Sequence, residues 1–381
     1  MAAAGEERSG IVVIAGDGAP LDPLRHGGKA CGLQELLRLG LSVPAAIVVP
    51  IDAAAEIAEG VEIGVVTTAF ADLADALDEL RRIPGAHDTR FAVRSGASIS
   101  LPGAFDTMLD VKPDDVPEAV AAVVASTRGL RVETIVRAMG VDEVPPTAVI
   151  VQHQVEATRD DLSGAGVVTS RDPVTGKAGM AGSIGWRQRG DAVMAGTIAV
   201  DPAASIDGRL PATAARLRED TARLEAELGS PVELEIVIEQ GELWYLQLRT
   251  FAPPAVDGAT PELEGAVAHG RAASAGVATG ELHVDADDAL DAIDAGRSVI
   301  IALETSSPGD VPVMVRAAGV LTVLGGPESH AAVVTRGAGV PAVVAVQGLV
   351  IGDHGIDVAG RRVEVGAAVT IDGTRGSVFL P

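Results

Sequence analysis

The chain is poor in three things: thiols, aromatic rings and positive charge. Its single cysteine, Cys31, excludes an internal disulfide and fits a reducing compartment. Aromatic residues make up 2% of the sequence, so its cores must be built from Val, Leu, Ile and Ala. The only lysines are Lys29, Lys112 and Lys177, and the formal net charge is −24. That charge argues against nucleic acid and anionic membrane surfaces as partners. An anionic ligand must therefore meet a local cluster of cations and metal. No uncharged run approaches the length needed to span a membrane. The start, Met1-Ala-Ala-Ala-Gly-Glu-Glu-Arg8, is acidic and has no apolar centre, so it does not read as a secretory leader. These features predict a cytoplasmic protein, and 381 residues suggest two or three domains.

What is present is organised around one stretch. An apolar run from Val320 to Leu324 reads as a buried strand, broken by Gly325-Gly326-Pro327. Ser329 stands where a helix N-cap would, Ala331 to Arg336 reads as a short helix stopped at Gly337, and Pro341 opens another apolar strand. His330 is thus expected in the first turn of a helix, just past a glycine turn. The N–H groups and partial positive charge of a helix start stabilise an anion there. The same field disfavours the imidazolium and leaves the neutral, nucleophilic ring. A histidine that accepts a phosphoryl group needs both properties, although a helix-capping histidine without chemistry would sit at the same place.

The run Gly325-Gly326-x-x-Ser329-His330-Ala331-Ala332-Val333-Val334-x-Arg336-Gly337-x-Gly339-Val340-Pro341 closely resembles the phosphohistidine motif of the phosphoenolpyruvate-utilising enzymes. Pyruvate phosphate dikinase and phosphoenolpyruvate synthase are members of that family. Upstream, His26-Gly27-Gly28-Lys29 leads into a helix through Leu39. Glycines there let the backbone approach phosphate while the ammonium neutralises it, though a plain helix entrance looks the same. The stretch resembles the opening of the family's ATP-grasp domain, which has a lysine at this place. Phe91-Ala-Val-Arg94-Ser95-Gly96-Ala97 runs into a loop of small and hydroxyl residues through Thr107. It resembles the family pattern V-R-S-G-A-x-x-S-x-P-G-x-x-D-T, which implies phosphate contacts for Arg94, Ser95 and Gly96. The strand Ala148 to Val155 matches the family's adenine-contacting hinge, and so implies a nucleotide contact at Gln152. The turn Asp172-Pro173-Val174-Thr175-Gly176 reads as scaffold first.

Pro231 to Ile238 and Leu243 to Thr250 form an expected hairpin. Glu233 and Glu235 share one face of the first strand, and Tyr245, Gln247 and Arg249 share one face of the second. A carboxylate and a carboxamide oxygen suit magnesium bridging phosphates, and a hairpin with its polar face in water would show the same pattern. By resemblance to the family's D-I-E-F…L-Y-x-L-Q-x-R element, Glu235 and Gln247 hold the metal and Arg249 meets the phosphates.

The resemblance spans about Ile11 to Phe379 and implies an α/β protein in two parts. Residues 1–250 would be an ATP-grasp nucleotide domain, 251–265 a linker, and 266–381 a swivelling β/β/α phosphohistidine domain. It implies an enzyme, an ATP-dependent phosphotransferase using ATP and Mg2+, with His330 as the phosphoryl acceptor. The final acceptor in the family is pyruvate, bound on a barrel whose motifs do not occur in this sequence. A separate acceptor protein carrying a pyruvate or phosphoenolpyruvate site is therefore an expected partner. Two alternatives stand beside this reading: a nucleotide-binding or regulatory homologue without transfer, and a phosphotransferase acting on another small molecule. Glu328, where the family commonly has threonine, keeps the first of them open. A carboxylate beside the histidine would repel incoming phosphate by about 1 kcal/mol if solvated and by more if buried, whereas an acid at a helix start can also be there only for the dipole.

Overall fold

The computed structural model describes residues 9–83, 90–98, 105–252 and 263–380. The acidic start, the middle of the loop after Ser98 and most of the expected linker lie outside the described residues. The chain packs as two units. One comprises Met1–Arg137, Val141–Val155 and Trp244–Arg249; the other comprises Ala138–Gly140, Glu156–Leu243 and Thr250–Pro381. Packing thus groups the Glu156–Leu243 segment with the segment containing His330, whereas the motifs of the sequence divide at residue 250.

In the first unit, five antiparallel strands run in the order Val12–Val13, Ala46–Val49, Thr147–His153, Phe91–Ala97, Thr107–Val111. Ala46–Val49 and Thr147–His153 are buried at every position, as strands covered on both faces must be. Alternation sorts their side chains. Ile47, Val49, Phe91, Val93, Val149 and Val151 join one core with Ile51–Ile63, Thr68–Arg81 and Val116–Ala125, which are helices with apolar residues at helical spacing. The opposite face holds Ala92, Arg94, Ala148, Ile150 and Gln152. The helix Pro23–Arg38 begins earlier than the sequence suggests, with Asp22 as N-cap accepting from the Leu24 N–H at 2.9 Å. It is interrupted at Gly27, whose φ of 77° and ψ of 155° are not helical.

The second unit contains a sheet in which Val232–Glu239, Gly164–Arg171, Ala178–Trp186 and Asp201–Pro202 lie side by side, all antiparallel. The helix Pro211–Leu228 packs Leu217 and Leu224 inward and leaves its charged side in water. The turn after Arg171 is closed by Asp172, which accepts from the Val174 and Thr175 N–H groups at 2.9 and 2.7 Å. The strand Glu242–Thr250 follows in sequence, and its residues Trp244–Arg249 belong to the first unit.

An eight-stranded mixed sheet fills the rest of this unit. Its centre, Val277–His283, Val299–Leu303, Gly319–Thr322 and Ala342–Val344, is parallel. A three-stranded antiparallel sheet, Val350–Gly352, Gly355–Val358 and Arg361–Glu364, packs Ile356, Val358 and Val363 against Leu282, Ile300, Leu321 and Val343. A hairpin, Ala368–Asp372 and Ser377–Phe379, pairs antiparallel in the eight-stranded sheet. Two sheets and the crossover helices make the β/β/α arrangement. The whole chain is α/β.

Candidate functional site

Gly319–Thr322 delivers the chain to the loop that precedes His330. Gly325 takes a φ of 113°, open to glycine and strained for other residues. The Ser329 N–H then bonds the Gly326 carbonyl at 3.0 Å, closing a turn. The helix His330–Ala338 starts there, with Ser329 as N-cap in extended conformation. The Ser329 hydroxyl makes no capping hydrogen bond; the position is the expected one and the side-chain contact is missing. Arg336, one and a half turns on, donates back to the carbonyls of Pro327 and, at 2.9 Å, Ala273. It braces the loop. The helix runs through Gly337 and ends on Gly339, whose φ of 68° makes the left-handed cap.

Glu328, Ser329 and His330 are 3%, 3% and 9% exposed, so this helix start is nearly closed to water. The imidazole Nδ1 lies 3.3 Å from the hydroxyl of Ser306, which is itself buried. Ser306 belongs to the Glu304-Thr305-Ser306 turn, fixed by Asp310 accepting from the Ser307 N–H and hydroxyl at 2.7 and 2.8 Å. Ser306 lies 24 positions before the histidine, and nothing in the local sequence marks it as the neighbour.

Glu328 is turned into the protein and accepts a 2.5 Å hydrogen bond from Ser183. Burial pushes its carboxyl above the usual carboxylate range, and nearby Glu233 adds to this. The Ser183 hydrogen bond and the charges of Arg336 and Arg271 oppose it. The carboxyl is thus buried beside the histidine and held by Ser183, and is not solvated. Ser183 faces Val167 across the sheet, and Val167 faces Glu235. Directly paired residues project to the same side, so Ser183 and Glu235 share a face. Gly326 is seated on that face, its Cα approached so closely that an added Cβ would meet the Ser183 Oγ and Val200 at 3.2 Å. Gly196 is packed as closely against Gly325 and Ser329. Nothing in the local sequence around Ser183 announces this contact.

In the first unit, the phosphate-binding candidates gather about one helix. An added Cβ at Gly27 would lie 1.8 Å from the Gly96 carbonyl oxygen, and one at Gly32 would lie 3.0 Å from the Leu248 carbonyl oxygen. The helix carrying half-buried Lys29 therefore touches the strand of Arg94 and Gly96 near its start. Further along it touches the segment of Arg249. Arg94, Gly96 and Gln152 share the sheet face toward this helix, whereas Ser95 alternates to the other face. The Gln152 side chain is 1% exposed, with its amide 3.4 Å from the Pro44 carbonyl. Gln247 is buried and Glu235 half-buried; a carboxylate and a carboxamide oxygen are donors that fit magnesium. Among the described residues no group of three or more His, Cys, Asp or Glu is placed to hold a metal ion by itself. No described helix is long and apolar enough to cross a membrane.

Two family models match the chain. "Pyruvate phosphate dikinase, AMP/ATP-binding domain" covers residues 65–221, and with them Arg94 and Gln152. "PEP-utilising enzyme, mobile domain" covers residues 295–376, and with them Ser306, Glu328 and His330. Pyruvate, phosphate dikinase of Rhizobium meliloti (strain 1021) is 31% identical over 310 residues, 68% of this chain and 34% of its own length. The enzyme of the same name from Clostridium symbiosum is 29% identical over 272 residues, 61% of this chain and 31% of its own. The chain thus spans about a third of the length of these relatives. Among solved structures, D-alanyl-alanine synthetase A from Vibrio cholerae O1 biovar eltor str. N16961 aligns at 11% identity and a TM-score of 0.33, over 60% of this chain and 57% of its own. The nucleotide-binding and mobile segments occur here in one polypeptide, together with the histidine motif at a helix start, and the chain belongs to the family of pyruvate phosphate dikinase and the phosphoenolpyruvate-utilising enzymes.

Proposed function

We propose that the protein is an ATP-dependent phosphotransferase in which His330 takes a phosphoryl group from ATP and passes it to an acceptor, pyruvate by analogy with the named relatives. The observation that carries this reading is the seating of His330. It begins a helix, is held at Nδ1 by Ser306, and follows a loop packed on the sheet face that bears Glu235. Nε2, the ring nitrogen opposite Ser306, attacks the β-phosphorus of ATP. The new N–P bond forms as the bond to the α,β-bridging oxygen breaks, and AMP leaves with that oxygen. The γ-phosphate then departs to water or inorganic phosphate, leaving phosphohistidine. The helix N–H groups receive the anion so formed.

Lys29, Arg94 and Arg249 neutralise the triphosphate in this reading, with backbone donors at Ser95 and Gly96 and a nucleotide contact at Gln152. Glu235 and Gln247 would hold Mg2+, which supplies charge neutralisation on the phosphate oxygens. Residues 266–381 then act as the carrier and 1–250 as the nucleotide domain, joined by 251–265.

The test is incubation of the pure protein with β-labelled ATP and Mg2+. Label that is acid-labile and base-stable should appear on wild type and be absent from His330→Asn, which should still bind ATP. Label persisting in His330→Asn would remove His330 from the reaction.

A further inference from the structure

Glu328, where the family commonly has threonine, makes the longest-range hydrogen bond at the site. Ser183 and Glu328 are 145 positions apart, 1% and 3% exposed, and joined by a 2.5 Å hydrogen bond. Around that bond the loop is pressed on the sheet at Gly326 and at Gly196, where side chains larger than glycine meet neighbouring atoms at 3.0–3.2 Å. Ser183 lies in one row with Val167 and Glu235.

We propose that Ser183 and Glu328 form a releasable latch that seats the His330 loop on the sheet face bearing Glu235, setting the rate at which His330 is phosphorylated and not the affinity for ATP. The inference rests on the reading of His330 as phosphoryl acceptor. Its physical basis is the chemistry of the contact. A buried carboxyl held by a single hydroxyl regains hydration when the surfaces part, so the contact resists opening weakly. An apolar side chain of the same volume would hold more firmly. A loop that must deliver its histidine and then leave is served by the weaker bond. Arg336 and Arg271, beside Glu328, and Glu233, from the sheet, are the charges that surround it. Glu328 is a positioning residue here: it acts through the placement of the loop and touches no reacting atom.

Two measurements on the intact chain test this. The first places spin labels at Glu227→Cys and Asp287→Cys, both exposed, in a Cys31→Ser background. One distance population is expected in the parent. Ser183→Ala and Glu328→Ala should each add a longer one, while Glu328→Gln, which can still accept from Ser183, should keep the parent distribution. The second is single-turnover labelling of His330. The maximal rate should fall about tenfold in Ser183→Ala and in Glu328→Ala, with half-saturating ATP unchanged. The Ser183→Ala/Glu328→Ala double variant should be no slower than either single, because both remove one interaction. Unchanged distances in both alanine variants, or rate losses that multiply in the double variant, would overturn the latch. The distance measurement does not depend on phosphorylation. Absence of label in wild type together with shifted distances would therefore sink the proposed function and leave the contact standing as a docking latch.

Discussion

Glu328 couples the loop to pH in a direction that can be worked out. Its folded-state pKa is raised above the ordinary value of 4.5, chiefly by burial. A carboxyl raised on folding binds its proton more readily in the native state than in the unfolded one. Stability therefore falls as pH climbs from the unfolded value through the folded one, and the penalty is complete above the latter. Glu328→Gln, neutral at every pH, should melt higher than wild type at pH 8 and alike at pH 4. Melting profiles that stay parallel across that range would mean that the carboxyl is not buried in solution. Ser306 gives a second expectation at this scale. Its hydroxyl fixes the imidazole through Nδ1, so Ser306→Ala should slow His330 labelling about tenfold while ATP binding is kept, as for a lost orienting partner of a working histidine. An unchanged labelling rate would show that the helix alone orients the ring. His330 itself was legible in the sequence because glycines, cap and helix are local signals. Ser183 was not, because its pairing is made across 145 positions and leaves no mark on its own neighbours.

Elements were legible where hydrophobic period and turn chemistry agree. The strand Val299–Leu303 and the hairpin after Val232 fall where apolar runs and Gly turns put them. Ends depend on finer competition. Gly337 and Gly339 are both plausible stops, but exposed Gly337 tolerates helix and only Gly339 takes the left-handed cap. The helix Pro23–Arg38 hid its beginning, because Asp22 and Pro23 are turn residues as well as a cap and a first-turn proline. Its break at Gly27 brings the backbone against Gly96, and this gives an element-scale test. Gly27→Ala must place a Cβ 1.8 Å from a carbonyl oxygen at positive φ, so it should cost at least about 2 kcal/mol of stability and disable ATP binding. Gly28→Ala meets nothing nearer than 3.6 Å and serves as the control. Equal melting temperatures and ATP isotherms for the two variants would mean that the Gly27–Gly96 approach is not needed.

The whole molecule carries two tryptophans, and they fall in different packing units: Trp244 in the first and Trp186 in the second, where the Arg209 guanidinium lies 4.5 Å over its ring. Scarcity of aromatics thus provides one optical reporter for each unit. The proposed nucleotide contacts Lys29, Arg94, Ser95, Gly96, Gln152 and Arg249 all belong to the first unit. With a net charge of −24 acting against any anion, these few cations and backbone donors must supply the attraction for ATP. A ligand that binds only the folded form stabilises it by about 2.7 kcal/mol at a hundred times its Kd. For a unit of this size, that corresponds to a shift of roughly 5–10 °C, taking about 2–4 °C per kcal/mol. Two variants separate the signals: Trp186→Phe leaves Trp244 as reporter, and Trp244→Phe leaves Trp186. In thermal melts with saturating ATP and Mg2+, the Trp244 transition should rise by that amount and the Trp186 transition by less. A rise confined to Trp186 would move the nucleotide out of the unit that holds Lys29 and Arg94. No rise in either would remove ATP as the ligand.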